Sequence, residues 1–584
     1  MYRPVSIFGL AVIVLAVATG CATPPPQSGL VTGSSVIIGE SGLLSNLNPG
    51  VYGTPGQERA AQDLAELTRP QFYIHDEKGQ LAANPNFGSV TRAADGTVTY
   101  KLSGKAKWSD GVPVDAADLA VSWLAATDGQ APGYSSYLKR TSLALSDKIQ
   151  LLPDGVKLHF KQPVPNWQTA LPVTVPAHVL GKLAFPSASL TDAAAEKLVT
   201  DELTAKDNGV NSGLLAAAFT SAFATTTNGT ATTSADENLL LSSGPYNIAS
   251  ATADKVVLVA NPNFAAGPKA RVEKVILDCF STPDELAAAV AAKSVDLAAP
   301  SPTTASDLSN LASAAKKAGF NTAAGSAGRN EVILFNHASG SAFGSDTWGS
   351  NTQQLRAAEQ GAFQFMPRAG IWTVLAGTPG LVKSNSLVLA TTDPNYGKTI
   401  GENGTAAYPF QDAESSVELW QAARFPHTIA LRVLFDANSP RGQLEYTQLS
   451  RLGKLGGFNV QNISTDNPDA VLASLQWDVY ITEQGQLSTD ANALSTAIGA
   501  MTNFHNTDVD KLVSGSVAGK PLSQDGSAAT KLDELLVKNF YGLPLFQLDG
   551  LVVWSNNLKN YKPNRGNTAM AWGYSNWSVL AKGK

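Results

Sequence analysis

The stretch Lys107–Trp123, KWSDGVPVDAADLAVSW, decides how the rest of the chain is read. Ser109-Asp110-Gly111 is turn chemistry: an Asp side chain bonds the backbone that follows it, and Gly supplies a positive φ. Pro113 leads to Asp115, placed as a helix N-cap, with Asp118 at the third helical position, where a carboxylate meets the positive end of the helix dipole. Leu119, Ala120 and Trp123 recur at helical spacing, and Trp108 is a second large apolar anchor ahead of the turn. A strand–turn–helix corner with buried tryptophans accounts for these residues. Asp115 and Asp118 are therefore first-turn acids, not an acid/base pair.

Outward from this corner, strands and helices alternate. SSVIIGE (34–40), VTYKLS (98–103) and GVKLHFKQPV (155–164) read as strands, and GQERAAQDLAEL (56–67) has helical spacing at Ala60, Ala61, Leu64 and Leu67. STPDELAAAVAAKSVDLAAP (281–300) opens with Thr282 as N-cap, Pro283 at the first helical position and Glu285 at the third, a capping box. NEVILFNHA, TIALRVLFD, FNVQNI and WDVYITE continue the rhythm. The pattern is that of an α/β protein with mostly parallel sheets. ATTTNGTATTSADEN (224–238) is the most loop-like interior segment. A mature chain of ~560 residues exceeds what one core can fill, so two large lobes are expected.

The first residues point to export. Met1–Gly20 has one cation, Arg3, then an apolar run from Ile7 to Ala18 that is too short to span ~30 Å of hydrocarbon, and small residues before Cys21. Ala18-Thr19-Gly20-Cys21 resembles a bacterial lipobox, in which the Cys is acylated. Residues 1–20 thus read as a signal peptide and 21–32, rich in Pro, Ser, Gly and Thr, as a tether. The expected location is the outer face of the cytoplasmic membrane, held only by lipidated Cys21. The other cysteine, Cys279, lies in the apolar run KVILDCF and reads as a small core residue, so no intramolecular disulfide is expected.

Composition excludes several classes. With a net charge of −6 and 15% charged residues the chain has no basic stripe for nucleic acid. It has no Gly-x-Ser-x-Gly elbow, no phosphate-binding Gly-x-x-x-x-Gly-Lys-Ser/Thr loop and no His-Glu-x-x-His zinc helix. Its six histidines (75, 159, 178, 337, 427 and 505) never pair at helical spacing. No nucleophile–base pair, cofactor motif or metal motif emerges, and no enzymatic activity is expected.

KWSDGVPVDAADLAVSW also closely resembles the signature of family 5 extracellular solute-binding proteins, the OppA/DppA-like peptide-binding components of ABC importers. Five more blocks match in order. VPAHVL (175–180) resembles the family's Pro-x-His motif, SGPYNIASATADKVVLVANPNF (242–264) its Gly-Pro-Tyr and Asn-Pro-x-aromatic block, and VEKVILDCFSTPDELAAAVAAKSVDLA its crossover strand and helix. ILFNHA with Arg356 twenty residues on, and FYGLPLFQLDG, complete the series. The resemblance spans roughly residues 35–580. It implies a two-lobed periplasmic-binding-protein-like fold with two hinge crossover strands, near Val275–Phe280 and Leu543–Gln547, and an extra subdomain in the first lobe. Lobe I would take 33–278, lobe II 279–542, and 543–584 would return to lobe I. The implied function is hinge-closed capture of an oligopeptide or related small solute by a monomer, with delivery to ABC permease subunits. Actinobacterial LpqW-like lipoproteins share the resemblance and imply an alternative, non-transport role in regulating cell-envelope mannolipid synthesis.

By the same resemblance an acidic side chain in lobe II holds a peptide's α-ammonium. The chain departs from the family after WDVYI, where it reads TEQGQLSTDANAL and offers Glu483 or Asp490 for that carboxylate. Asn336 with flanking Phe335, and Trp348 in the Gly/Ser-rich loop before the Arg356 helix, are the other candidate ligand contacts.

Overall fold

A computed structural model describes residues 29–579 except 52–54, 76–80, 94, 128–137, 139–140, 162–163, 165, 187–189, 204–209, 228–229, 232–238, 301–304, 349–350, 379, 392, 409–411, 425–427, 438, 467, 486, 488–501, 519–521, 523–525 and 564–568. The leader and Cys21 therefore lie outside the described residues, as do Asp490 and most of the loop-like segment 224–238.

One eleven-stranded sheet runs through the molecule. Its strands are β1 (Val31–Ser41), β2 (Tyr246–Ala251), β3 (Lys255–Ala260), β4 (Val272–Phe280), β5 (Leu297–Ala299), β6 (Asn321–Phe335), β7 (Leu381–Lys383), β8 (Ile429–Leu434), β9 (Phe458–Asn462), β10 (Val479–Gly485) and β11 (Gly542–Trp554). The spatial order is β2-β3-β4-β1-β5-β11-β6-β10-β8-β9, with β7 added to β11. In the first half β1 runs parallel to both β4 and β5; in the second β8 runs parallel to both β9 and β10.

The two halves carry separate cores. Val36 and Ile38 of β1 face a first core that includes Ala60, Leu64 and Leu67 of helix α1 (Pro55–Thr68). Ile37, pointing the other way as strand alternation requires, packs with Leu286, Val290, Leu311 and Ala315 of α3 (Pro283–Ala291) and α4 (Ala305–Ala318). A second core gathers around Val332–Phe335, Leu431, Val433, Trp477 and Leu543–Phe546. This is the two-lobed architecture expected. A further four-stranded antiparallel sheet, in the order Gly88–Arg92, Val98–Leu102, Gly155–Phe160, Ser146–Leu152, supplies the extra layer of the first lobe.

Among the described residues only β6 and β11 belong to both halves, pairing antiparallel from Asn321↔Trp554 to Leu334↔Gly542. This corrects the first expected crossover. Val275–Phe280 is flanked on both sides within the first lobe, by β3 and β1, and Cys279 is buried in the first core. Residues 279–320 likewise stay with the first lobe, because β5 pairs β1 and α3 and α4 cover β1 and the far end of β11. The chain crosses forty residues later. β4 and β6 are both apolar runs, and what separates them is non-local pairing. The second expected crossover, Leu543–Gln547, does lie in β11. β1 also starts at Val31, two residues inside the expected tether.

The motif of the opening stretch folds as its chemistry dictates. Asp115 caps helix α2 (Ala116–Ala126) by accepting from Ala117 N–H, and Asp118 closes the capping box by accepting from Asp115 N–H at 3.0 Å. Asp118 is buried, and its carboxylate also accepts the Trp108 indole N–H at 3.1 Å and Ala177 N–H at 2.8 Å. His178 Nε2 lies 2.8 Å from Asp110 Oδ2. The Lys107–Trp123 and VPAHVL blocks thus form one corner, over which the Arg69 guanidinium stacks on Trp108 at 5.0 Å. Gly244 of the Gly-Pro-Tyr block meets α1 so closely that a Cβ would lie 2.4 Å from Thr68 C, and its carbonyl accepts Asn261 Nδ2 at 3.0 Å. The capping box at Thr282 also forms, with Glu285 N–H donating to Thr282 Oγ1 at 3.2 Å.

Candidate ligand-binding cleft

Strand direction locates the cleft. β5 heads antiparallel along β11, with Leu297 opposite Trp554 and Ala298 opposite Val553, so the carboxyl ends of β1, β4 and β5 point toward the middle of the crossover pair. From the other lobe β10 arrives with its last residue, Gly485, opposite Arg329 in the middle of β6. The parallel strands of both lobes thus point their carboxyl ends toward the same stretch of β6 and β11, which β10 reaches while β8 stops short at Leu434, opposite Tyr480. The carboxyl ends of open α/β sheets are where ligands are held. There Gly325 faces Gly550, and the register shifts between Ser326 and Arg329. A bulge with facing glycines is where a strand pair bends most easily.

On the lobe II side β6 and β10 carry a ladder of charges. Glu331 of β6 and Glu483 of β10 sit opposite each other in register. Arg441, in the first turn of helix α5 (Pro440–Gly453), donates from Nε to Glu331 at 2.6 Å and from Nη2 to Glu483 at 2.7 Å. The other oxygen of Glu483 accepts Arg329 Nη1 at 3.1 Å. Behind them Glu445, one helical turn after Arg441, is fully buried beside Glu331. Burial, reinforced by the charge of Glu331, pushes the Glu445 carboxyl well above its ordinary range. Burial also raises Glu331, against the pull of Arg441. Both carboxyls are thus shifted toward the protonated form. Burial disfavours charge on Arg441 as well, yet attraction to Glu331 and Glu483 outweighs it and keeps the guanidinium charged.

The lobe I side carries a second buried acid pair. Glu40, one residue from the end of β1, and Asp63 of α1 are both fully buried. Asp63 Oδ1 accepts Ala571 N–H at 2.6 Å, and burial, with the charge of Asp63, pushes Glu40 far up. Burial raises Asp63 as well, and the charge of Arg59 tempers both acids while its guanidinium donates to Pro300 O at 3.0 Å.

The structure sorts the expected contacts. Asn336 is fully buried and structural: its amide donates to Leu475 O at 3.0 Å and Trp477 O at 2.7 Å, and its oxygen accepts Ala338 N–H at 2.9 Å. Phe335 is also in the core, stacked on Phe343 at 4.4 Å and edge-on to Phe363 at 4.8 Å. Neither faces the cleft, because β6 is covered on both sides after Val332. Trp348 packs at the edge of the second core, its indole N–H donating to Ala342 O at 3.0 Å. Glu483 lies near the carboxyl end of β10, and both of its oxygens accept from guanidinium groups. The residues that sequence reasoning missed, Arg329, Glu331, Arg441, Glu445, Glu40 and Asp63, left a signal. Asp63 lies on the apolar face of α1 with Ala60, Leu64 and Leu67, and Glu445 shares a helix stripe with buried Leu449 while Leu444 beside it is exposed. An acid on a buried stripe needs a partner.

Residues 78–505 match the family described as bacterial extracellular solute-binding proteins, family 5. The chain belongs to that family of ABC-transporter-type solute-binding proteins. Among solved structures it is similar to the periplasmic EDTA-binding protein EppA (TM-score 0.64, 15% identity, covering 94% of this chain and 96% of that one). It is likewise similar to a putative peptide-binding protein AppA from Clostridium difficile (TM-score 0.60, 15% identity, 94% and 100%). The oligopeptide-binding protein AppA from Bacillus subtilis, solved with a nonapeptide, matches at TM-score 0.56 and 12% identity (94% and 99%). An uncharacterized lipoprotein of Mycobacterium tuberculosis is 30% identical over 136 residues, 23% of this chain and 24% of that protein. The match thus spans about a quarter of that relative's length.

Proposed function

We propose that this protein is the lipid-anchored, extracytoplasmic binding component of an ABC importer, which captures an oligopeptide or related small solute between its lobes and presents it to the permease. The direction of the parallel strands of both lobes, whose carboxyl ends point toward the bulged middle of the crossover pair, carries this reading. Closure about that hinge excludes water and strengthens hydrogen bonds to the ligand. Acylation at Cys21 holds the protein at the outer membrane face, and the partial likeness to mycobacterial lipoproteins supports the anchor. With both Glu483 oxygens neutralised, affinity comes from contacts to the ligand's backbone or polar groups and not from a free carboxylate at that position.

That neutralisation favours one second reading, the LpqW-like regulatory role without transport, in which no peptide ammonium is held. Native mass spectrometry of the purified protein before and after denaturation separates the two. A spread of short peptides released on unfolding supports the importer. A protein that is empty, and shows no thermal shift with a peptide library, refutes it.

A further inference from the structure

Away from the cleft, residues 569–579 fold back on the first lobe and, with Asn560, Lys562 and Arg271, line a cavity of about 250 Å³. Arg271, at the edge of β4, and Lys562 supply two cations, Asn560 and Asn576 two amides, and Trp572 and Trp577 an aromatic wall. Both cations are exposed, and neither has an ion-pair partner among the described residues. Trp572 is 6% exposed, and its indole N–H finds no acceptor among the described residues. Trp577, 1% exposed, is held by Tyr561, which packs in turn on Trp554. The wall is rigid and the donors outnumber the acceptors.

A leftover indole donor, carboxamides and two unpaired cations together suit an anion with several acceptor oxygens. Phosphate esters meet that description, because each phosphate oxygen takes more than one charge-assisted hydrogen bond. The volume falls below the ~300 Å³ at which drug-sized pockets begin, so the site suits a headgroup and not a peptide. On a chain of net charge −6 a two-cation pocket is not part of a general basic surface.

Position decides the source of the anion. Val31 N–H donates to Arg271 O at 2.9 Å, so the pocket rim stands beside the start of β1. Only ten residues (31 − 21) separate that point from Cys21. Fully extended, they reach at most ~35 Å. The two exposed cations at its rim are also what an anionic membrane surface attracts. We propose that this pocket binds the phosphate-ester headgroup of an anionic membrane lipid, fixing the orientation of the first lobe on the membrane. The choice of a lipid over a free phosphate ester rests on the anchor proposed above.

The test uses the full chain, purified in neutral detergent and titrated calorimetrically with short-chain phosphatidylglycerol and, separately, with sn-glycerol 3-phosphate. One lipid should bind per chain, at least tenfold more tightly than the free ester. The double variant R271Q/K562Q should weaken lipid binding at least tenfold with an unchanged melting temperature, since both side chains are exposed. Trp572→Phe, which removes only the N–H, should weaken it severalfold and serves if the double variant misfolds. Absence of lipid binding, or undiminished binding in both variants, overturns the site. Equal affinity for the free ester overturns the membrane source. The intact mass of the same sample shows whether Cys21 is acylated, and peptide release reports on the cleft, so failure of either reading is separable from failure of this one.

Discussion

Arg441→Leu tests the charge ladder on β6 and β10. It removes a guanidinium lying 2.6 Å from Glu331 and 2.7 Å from Glu483, and leaves the Glu331–Glu445 pair with no close cation. Removing one partner of a buried pair costs about 3–5 kcal/mol. Arg441 keeps 20% exposure, so the lower end, about 3 kcal/mol, is expected. For a lobe-sized unit that is roughly 6–12 °C in melting temperature. The pH dependence gives a sharper signature. Without Arg441 the folded state holds the Glu331 proton more tightly than the unfolded chain, whose value is the ordinary 4.5. A raised folded pKa means that the folded state binds more protons above pH 4.5, so the variant loses stability as pH rises, by about 1.4 kcal/mol per unit within the window. Urea denaturation at pH 5 and pH 8 should show a deficit larger at pH 8 by about 1–2 kcal/mol, and E331Q added to R441L should recover most of it. A deficit below about 1 kcal/mol at pH 8, or one equal at both pH values, would refute the ladder as a buried, coupled unit.

Three further outcomes follow from single sites. Burial lowers His337 from 6.5 to about 4, so it folds neutral; stability should fall by about 3 kcal/mol as pH drops from 6.5 through 4, and His337→Gln should flatten that limb of an acid titration. Gly244→Ala must push its Cβ against the Thr68 backbone at 2.4 Å, and should cost about 1–3 kcal/mol in a chemical denaturation curve, whereas Gly213→Ala, with nothing within 4 Å, should not. Burial, with Glu40 nearby, raises the Cys279 thiol well above 9.0, so a thiol reagent should leave the native protein unlabelled there and modify Cys279 once urea unfolds the first lobe. Rapid native labelling of Cys279 would contradict the first core as described.

Much of the fold was legible from residues acting on near neighbours. The capping boxes at Asp115 and Thr282, the turn at Ser109-Asp110-Gly111 and the helical stripe of α1 are local devices, written within a few residues of where they act. The six ordered motif blocks led to the right family, and several of them meet in the fold, as Asp110 meets His178 and Ser109 Oγ accepts Ser242 N–H. Asn336 and Phe335, expected as ligand contacts, are instead buried in the second core, where a conspicuous Phe-Asn at a strand end serves as a core stack and a backbone bracket. Only packing tells this use from a ligand contact.

The sequence by itself determined the class of the protein through its ordered motif blocks, two lobes through its length, and most of the element types through periodicity, capping and turn chemistry, which are short-range. It did not determine strand direction, since the mostly parallel sheet expected is antiparallel at β2-β3-β4, along β6 and along β11. The tertiary structure decided which strands cross between the lobes, since β4 and β6 are equally apolar and differ only in their partners. It also decided that Glu483 is spent on Arg329 and Arg441, and it brought Arg271 and Lys562, far apart in the chain, to one pocket. Charge neutralisation and pocket formation depend on distances between residues separated by hundreds of positions, and those distances exist only once the sheet is assembled.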